Sequence, residues 1–342
     1  MDKDFEELIN KLGKARQDKS PALQPKVLLV DAMNTFLRSF AIINHMNPKG
    51  AHIGGLTGFL KSMGYGIKQT QPTRVIIVFE GEGSTNNKKN LFPDYKGNRK
   101  LKRITNFDGF LNQEDESASI ETQLLRLVEY LQCLPIDLVA IDRAEADDTI
   151  GYLATRFQDK NDVVIMSSDQ DFLQLVNNKI TVYSPTKKKI YTPEKIKEEY
   201  GVTPQNYLQM KILLGDSSDN VPGVPKLGPK KLIKNFPELQ EEKTITLKEV
   251  LEKSQSTKGT MYEAINMFSH QLKINEKLMD LHNPNLSEMM KLEVEDTITQ
   301  PKNTMDKTKF LTMYNTDLLG NSIPNVEAWL INVFTHLMVF KK

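Results

Sequence analysis

Four short runs rich in valine, isoleucine and leucine constrain this 342-residue chain most, because each leads directly to acidic side chains. KVLLV precedes Asp31, RVIIVF precedes Glu80, IDLVAI precedes Asp142, and DVVIMS runs into Asp169 and Asp171. A fifth run, KITVYS, starts at Lys179. Their length and β-branched content predict buried strands. Helical spacing lies between them: a helix is expected from Asn34, another through Leu124, Leu125, Val128 and Leu131, and a third through Ile150, Leu153, Ala154 and Phe157. Strand and helix in alternation predict an α/β fold with a largely parallel central sheet flanked by helices. Ligands of such sheets bind beyond the carboxyl ends of the strands. Asp31, Glu80, Asp169 and Asp171 fall there.

The rest of the chain is organised differently. Residues 1–24 read as a charged helical lead-in. After Pro193 the composition changes to short helices joined by Gly/Pro-rich turns, then further helices with polar connections. The expected division is an α/β domain at 1–192 and a helical domain at 193–342. The apolar tail from Val326 is interrupted by Glu327, Asn332 and His336, which predicts a packed terminal helix. No run reaches 18 apolar residues, so no membrane span is expected. Cys133 is the only cysteine, which excludes an intramolecular disulfide. With an N-terminus lacking the apolar core of a signal peptide, a reducing cytoplasm is the expected location. Lys and Arg number 45 against 44 acids, so the total charge neither demands nor excludes nucleic acid and its distribution must decide.

That distribution is uneven. Glu145, Asp147 and Asp148 open one predicted helix, Asp169 and Asp171 follow a strand, and Asp216 and Asp219 sit in GDSSDN. Each group has an ordinary explanation. Acids favour helix N-termini, and Asp-rich loops form turns through their own backbone. Together with Asp31 and Glu80 they make nine acids near strand ends or element starts. Converging like charges require protons or cations. No basic residue lies inside the 145–148 or 169–171 groups, and the five histidines are elsewhere. An all-oxygen donor set suits Mg²⁺, with Mn²⁺ as substitute. Two such ions about 4 Å apart serve phosphodiester hydrolysis.

Two basic segments counterbalance the acids. Residues 86–103 carry Lys88, Lys89, Lys96, Arg99, Lys100, Lys102 and Arg103 against Asp94 alone, with Phe92 and Tyr95 interleaved. A solvated loop is one reading; a clamp on a nucleic-acid strand, ordered by binding, is the other. Gly and Asn make much of it a poor helix former, and few apolar residues are expected to hold it to the core. The second segment, GVPKLGPKKLIKNF, brings Lys226, Lys230 and Lys231 to a turn framed by Gly223, Gly228 and Pro229, which suits phosphate contacts.

These blocks resemble, in order, the structure-specific 5′ nucleases, the family of flap endonucleases and phage exonucleases. LLVDAMNTFLRSF is similar to its N-terminal block, VIIVFEGEG to its strand-end acid, and LFPDYKGNR to the foot of its helical arch. AEADDTIGYLA and SSDQDFLQLV are similar to its two acidic blocks. GDSSDNVPGVPKLGPKK resembles its helix-three-turn-helix, expected at about 207–236. The phage RNase H-type proteins are the most similar kind, and VYSPTKKKIY adds to that likeness. The resemblance implies a first metal site at Asp31, Glu80, Glu145 and Asp147, and a second at Asp148, Asp169, Asp171, Asp216 and Asp219. It implies an arch at about 81–117, Lys96 and Arg99 at the scissile phosphate, Arg38 in contact with nucleic acid, and K⁺ at the 223–228 loop. The family usually has Asp where this chain has Glu80.

The implied activity is metal-dependent 5′-3′ exonuclease and flap endonuclease action on DNA and on RNA primers paired to DNA. Implied partners are branched or nicked duplex DNA and RNA–DNA hybrid, with a single-stranded-DNA-binding protein or sliding clamp. The competing class is a non-catalytic branched-DNA binding module, which would gain nothing from nine acids.

Overall fold

A computed structural model describes residues 25–99, 103–300 and 303–339. The expected lead-in at 1–24 and the expected nucleic-acid contact at Lys100 lie outside the described residues. Six strands form one sheet: β1 (Lys26–Asp31), β2 (Arg74–Glu80), β3 (Asp137–Ile141), β4 (Asp162–Met166), β5 (Ile180–Ser184) and β6 (Lys189–Tyr191). The order is β3-β2-β1-β4-β5-β6, parallel except for the terminal β5–β6 hairpin. All five expected strands are present. The hairpin return, β6, was not foreseen; three residues carry too little pattern to show a strand.

Side chains alternate across the sheet. Val27, Leu29, Ile76 and Val78 face one core, while Leu28, Val30, Val75 and Ile77 face the other. Such two-sided burial makes the strands read as continuous apolar runs rather than alternating ones. On the second face pack α1 (Ala32–Ile42), α2 (Gly54–Thr70) and α4 (Gln113–Gln132). The first face is covered by α5 (Ala146–Phe157), and the core on that side continues into the helices that follow the sheet. These are α6 (Pro193–Tyr200), α7 (Pro204–Leu214), α8 (Pro229–Asn235), α9 (Leu247–Ser256), α10 (Thr260–Met267), α11 (Ser269–Met279) and α12 (Glu288–Thr299). None of the described helices is long and apolar enough to cross a membrane.

The terminal helices α13 (Lys307–Thr316) and α14 (Val326–Val339) do not stay with the helical group that begins at 193. Phe310, Tyr314, Leu330 and Phe334 join the second core, beside Phe59 and Tyr130. Asp317 fixes that return, accepting hydrogen bonds from Arg126 Nε at 2.7 Å and from the Tyr130 hydroxyl at 2.7 Å. The sequence grouping of 193–342 therefore spans both faces of the sheet. Composition could not reveal this, because an amphipathic helix does not specify which core it covers.

Helix α2 contains five glycines and forms because close packing rewards them. A Cβ on Gly64 would come within 2.7 Å of the Trp329 indole nitrogen. Trp329 is the only tryptophan. Gly64→Val is expected to cost about 1–3 kcal/mol through overpacking. Urea unfolding followed by Trp329 fluorescence would measure this. An unchanged midpoint and an unshifted native emission would show that α14 is not seated on Gly64.

Candidate metal-dependent nuclease centre

The sheet positions the acids. Asp31 ends β1 and caps α1, accepting from the Asn34 amide at 3.0 Å. Its other oxygen accepts from the Ser167 hydroxyl at 2.9 Å. Ser167 Oγ in turn accepts from the Asp169 amide, and Asn34 Oδ1 accepts from the Ser168 amide, each at 3.0 Å. Asp169 Oδ1 accepts from the Asp171 amide at 2.9 Å. The ends of β1 and β4 are thus bonded into one acidic edge. Glu80, at the end of β2, is exposed and accepts from the Ser84 hydroxyl at 2.8 Å. Burial raises the Asp31 carboxyl to about 6, and the Glu80 charge adds to this against its hydrogen bonds.

Helix α5 brings the next group. Asp147 is pushed well above the ordinary carboxylate range, first by burial and then by the Asp169 charge. Asp169 is raised by burial, and the Asp31 charge adds to it. Asp31, Asp147 and Asp169 therefore converge. Lysine reaches Glu145 and Asp148. Lys88 Nζ lies 2.7 Å from Glu145 and 3.0 Å from Asp148, and Lys96 Nζ lies 2.6 Å from Glu145. Burial alone would raise Glu145; the two ammonium groups lower it to about 2.

A third group joins the acids to the helical region. Lys211, on α7, pairs with Asp171 at 2.6 Å and with Asp216. Burial and the Asp169 charge still hold Asp171 at about 6, whereas Lys211 overcomes burial at Asp216 and lowers it to about 2. Asp219 sits 3.2 Å from the Tyr95 hydroxyl, which is also 3.0 Å from Glu145. The turn between β7 (Gly215–Asp216) and β8 (Val221–Pro222) is stitched to residues 94–98. The Lys96 amide donates to Asp219 O at 2.8 Å, Asn98 Nδ2 to Ser217 O at 2.8 Å, and Asn220 Nδ2 to Asp94 O at 2.9 Å.

Three expectations are corrected here. Lys88 was expected to contact nucleic acid, yet it is 3% exposed and spent on Glu145 and Asp148. Tyr95 was expected to stack on a base; it is also 3% exposed, and its ring belongs to the core. The third is the expectation of a poor helix former: residues 86–91 form a helix, α3 (Asn86–Leu91), and Phe92 packs on the first core. The propensity argument failed because buried ion pairs and Tyr95 outweigh weak helix formers. Lys89 remains exposed, and Lys96 is directed to Glu145. Arg99 lies in the short 3₁₀ turn Gly97–Arg99. Arg38, on α1, lines a shallow cavity with Thr186 of the β5–β6 hairpin.

The sequence reading missed Ser167, Asn34 and Lys211. Lys211 could have been found: it is a lone cation on a helix whose neighbours Tyr207, Met210, Ile212 and Leu213 are all buried. In the following turn, Gly223 has no room for a side chain, since a Cβ would lie 2.0 Å from Leu214 O. Lys226, at φ +61°, and Lys230 and Lys231 beyond Gly228 are exposed.

Among the described residues, Lys88, Lys96 and Lys211 pair with four of these carboxylates, Glu145, Asp148, Asp171 and Asp216. An all-oxygen set of this kind fits hard divalent cations. Among the described residues no three His, Cys, Asp or Glu side chains stand ready to hold one ion. The fit is therefore one of donor chemistry, with lysines now carrying part of the neutralisation.

A family model described as the 5′-3′ exonuclease N-terminal resolvase-like domain matches residues 26–201. One described as the 5′-3′ exonuclease C-terminal SAM fold matches 202–305. The chain belongs to the 5′-3′ exonuclease family. It is 30% identical to a 5′-3′ exonuclease of Buchnera aphidicola over 303 residues, 84% of this chain and 94% of that protein. It is 32% identical to a Bacillus subtilis 5′-3′ exonuclease over 266 residues, 75% of this chain and 83% of that one. DNA polymerase I of Bacillus caldotenax is 33% identical over 62% of this chain, which spans only 23% of that polymerase. The fold is similar to that of the bacteriophage T5 D15 flap endonuclease in complex with DNA and metal ions (TM-score 0.63, 19% identity, 86% of this chain and 100% of that one).

The raised acids make stability depend on pH in a defined direction. A carboxyl raised by folding stabilises below its unfolded value and loses that contribution as pH rises through its folded value. For Asp31 and Asp171 the window runs from 3.8 to about 6. Glu145 and Asp216 act oppositely and lose their contribution only as pH falls toward 2. In chelator, the melting temperature is expected to fall from pH 5 to pH 8, and Asp147→Asn should melt above the native chain at pH 8. Calorimetry showing a flat profile and a less stable variant would contradict the convergence of Asp31, Asp147 and Asp169.

Proposed function

We propose that this family member is a divalent-metal-dependent 5′-3′ exonuclease and flap endonuclease, acting on DNA and on RNA primers paired to DNA during replication. The convergence of Asp31 and Asp169, beyond the ends of β1 and β4, with Asp147 in the first turn of α5 carries this reading. Metal ions bound there would supply an activated water and charge stabilisation at the leaving oxygen. Asp31, Glu80, Glu145 and Asp147 would hold one ion; Asp148, Asp169, Asp171, Asp216 and Asp219 would hold the second, in part through water.

The chain's own groups divide the remaining work. The exposed lysines Lys226, Lys230 and Lys231 suit duplex phosphates, and the backbone carbonyls at 223–228 suit K⁺. Lys96 pairs with Glu145 at 2.6 Å and would exchange that partner for a phosphate that enters the centre. Arg99 follows it by three residues and completes a basic pair at the scissile group. Charge delivered there counts most where negative charge shifts in the transition state.

Flap, nicked, RNA–DNA and single-stranded substrates offered in parallel, with and without Mg²⁺, test the proposal. Cleavage at the branch and from 5′ ends, only with metal, is expected. Tight flap binding without cleavage in any divalent ion would leave the binding-module alternative. Asp169→Asn should reduce single-turnover cleavage at saturating DNA by at least about 10²-fold. Lys230→Ala should weaken binding to all duplex sequences and lower the salt slope by about one unit. An unaltered slope would remove Lys230 from the phosphate track.

A further inference from the structure

In the 86–99 segment Lys88 and Lys96 both pair with Glu145, and Lys88 reaches Asp148 as well. Helix α3 turns Asn87, Asn90 and Leu91 toward an open groove of about 880 Å³, opposite residues 276–287. These positions are spaced as one helical face. Lys88 points the other way, into the small cavity bounded by Tyr95, Asp147, Asp171 and Asp219. Its side chain is 4% exposed, so a phosphate on the surface cannot reach the ammonium group. Burying an ammonium costs several kcal/mol unless well-oriented carboxylates compensate it. Here two do.

Those two partners connect three parts of the molecule. Glu145 precedes the first turn of α5 and Asp148 lies within it. Glu145 gives Oε2 to Lys88 and Oε1 to Lys96, so Lys88 fixes the plane of the carboxylate. Asp148 gives Oδ2 to Lys88 and Oδ1 to the Asn285 amide at 2.9 Å. One ammonium group thereby ties α3, the start of α5 and the 280–287 loop together. Helix α3 is six residues long and has no side-chain N-cap; besides Lys88, Asn87 anchors it by donating to Arg143 O at 3.2 Å.

We infer that Lys88 is a positioning residue for the carboxylate centre: through Glu145 and Asp148 it orients the acids of α5 and holds residues 86–99 over the site, without touching substrate. The inference rests on the nuclease reading above. Lys88 supplies a permanent internal countercharge; its removal leaves Glu145 to Tyr95 and Lys96 and takes from Asp148 its ammonium partner and from α3 its ion pairs. Misplacing reacting groups by about 1 Å can cost roughly 10²-fold in rate. Binding should be spared, because the exposed lysines of the 226–231 turn are untouched.

The test compares Lys88→Met with Lys88→Arg in the full chain. Single-turnover cleavage of a flap is measured at saturating DNA, and flap affinity is measured against salt in EDTA. Lys88→Met should cut roughly 10²-fold more slowly, with unchanged affinity and salt slope. Lys88→Arg should recover most of the rate, since a guanidinium can also bridge two carboxylates. Native-like cutting by Lys88→Met, no recovery by Lys88→Arg, or a salt slope lowered by about one unit would overturn the inference; the last result identifies a direct phosphate contact. Absence of cleavage by the native chain would instead refute the nuclease reading. Should Lys88→Met fail to fold, the double variant Lys88→Met with Asp148→Asn leaves one fewer buried charge unpaired. It is held to the same rate and affinity comparison.

Discussion

Electrostatic crowding at the carboxyl ends of β1, β2 and β4 governs this structure. The parallel sheet delivers Asp31, Glu80 and Asp169 to one edge, and the first turn of α5 delivers Glu145, Asp147 and Asp148 beside them. Like charges so placed oppose folding. The molecule answers in two ways. Asp31, Asp147, Asp169 and Asp171 hold their protons more tightly than ordinary carboxyls. Glu145 and Asp148 acquire ammonium partners from a distant segment, and Asp216 acquires one from Lys211, five residues before it. Divalent cations would provide a third answer, and the stability lost to crowding is what makes the site receptive to them.

The lysines that answer the acids also assemble the molecule. Lys88 and Lys96 bring residues 86–99 over α5, while Lys211 brings α7 and the β7–β8 turn against Asp171. Backbone bonds between residues 94–98 and 217–220 close the circle. The segment expected to grip a single strand is therefore in direct contact with the β7–β8 turn, just ahead of the 223–231 turn expected to grip duplex DNA. Buried Asn275 braces the same turn from α11, donating to Ile212 O at 3.0 Å and Pro222 O at 2.8 Å.

The sequence by itself determined the sheet and most of its acidic edge. Short β-branched runs can be buried only as strands in an alternating chain, and their register carries the following acids to one end. The order of the acidic and Gly/Pro-rich blocks was enough to recognise the nuclease family. Tertiary structure decided everything that depended on partners far along the chain. It chose which lysines are buried: Lys88 and Lys89 are neighbours of the same type, and only packing sends one inward and leaves the other in solvent. It turned Tyr95 from a prospective stacking surface into a buried hydroxyl between Glu145 and Asp219. It returned α13 and α14 to the second face of the sheet, where Trp329 meets Gly64. Periodicity reports that a side chain has an apolar side to cover, but the identity of what covers it is a property of long-range contact, and a charge is neutralised by whichever partner the fold brings within about 3 Å.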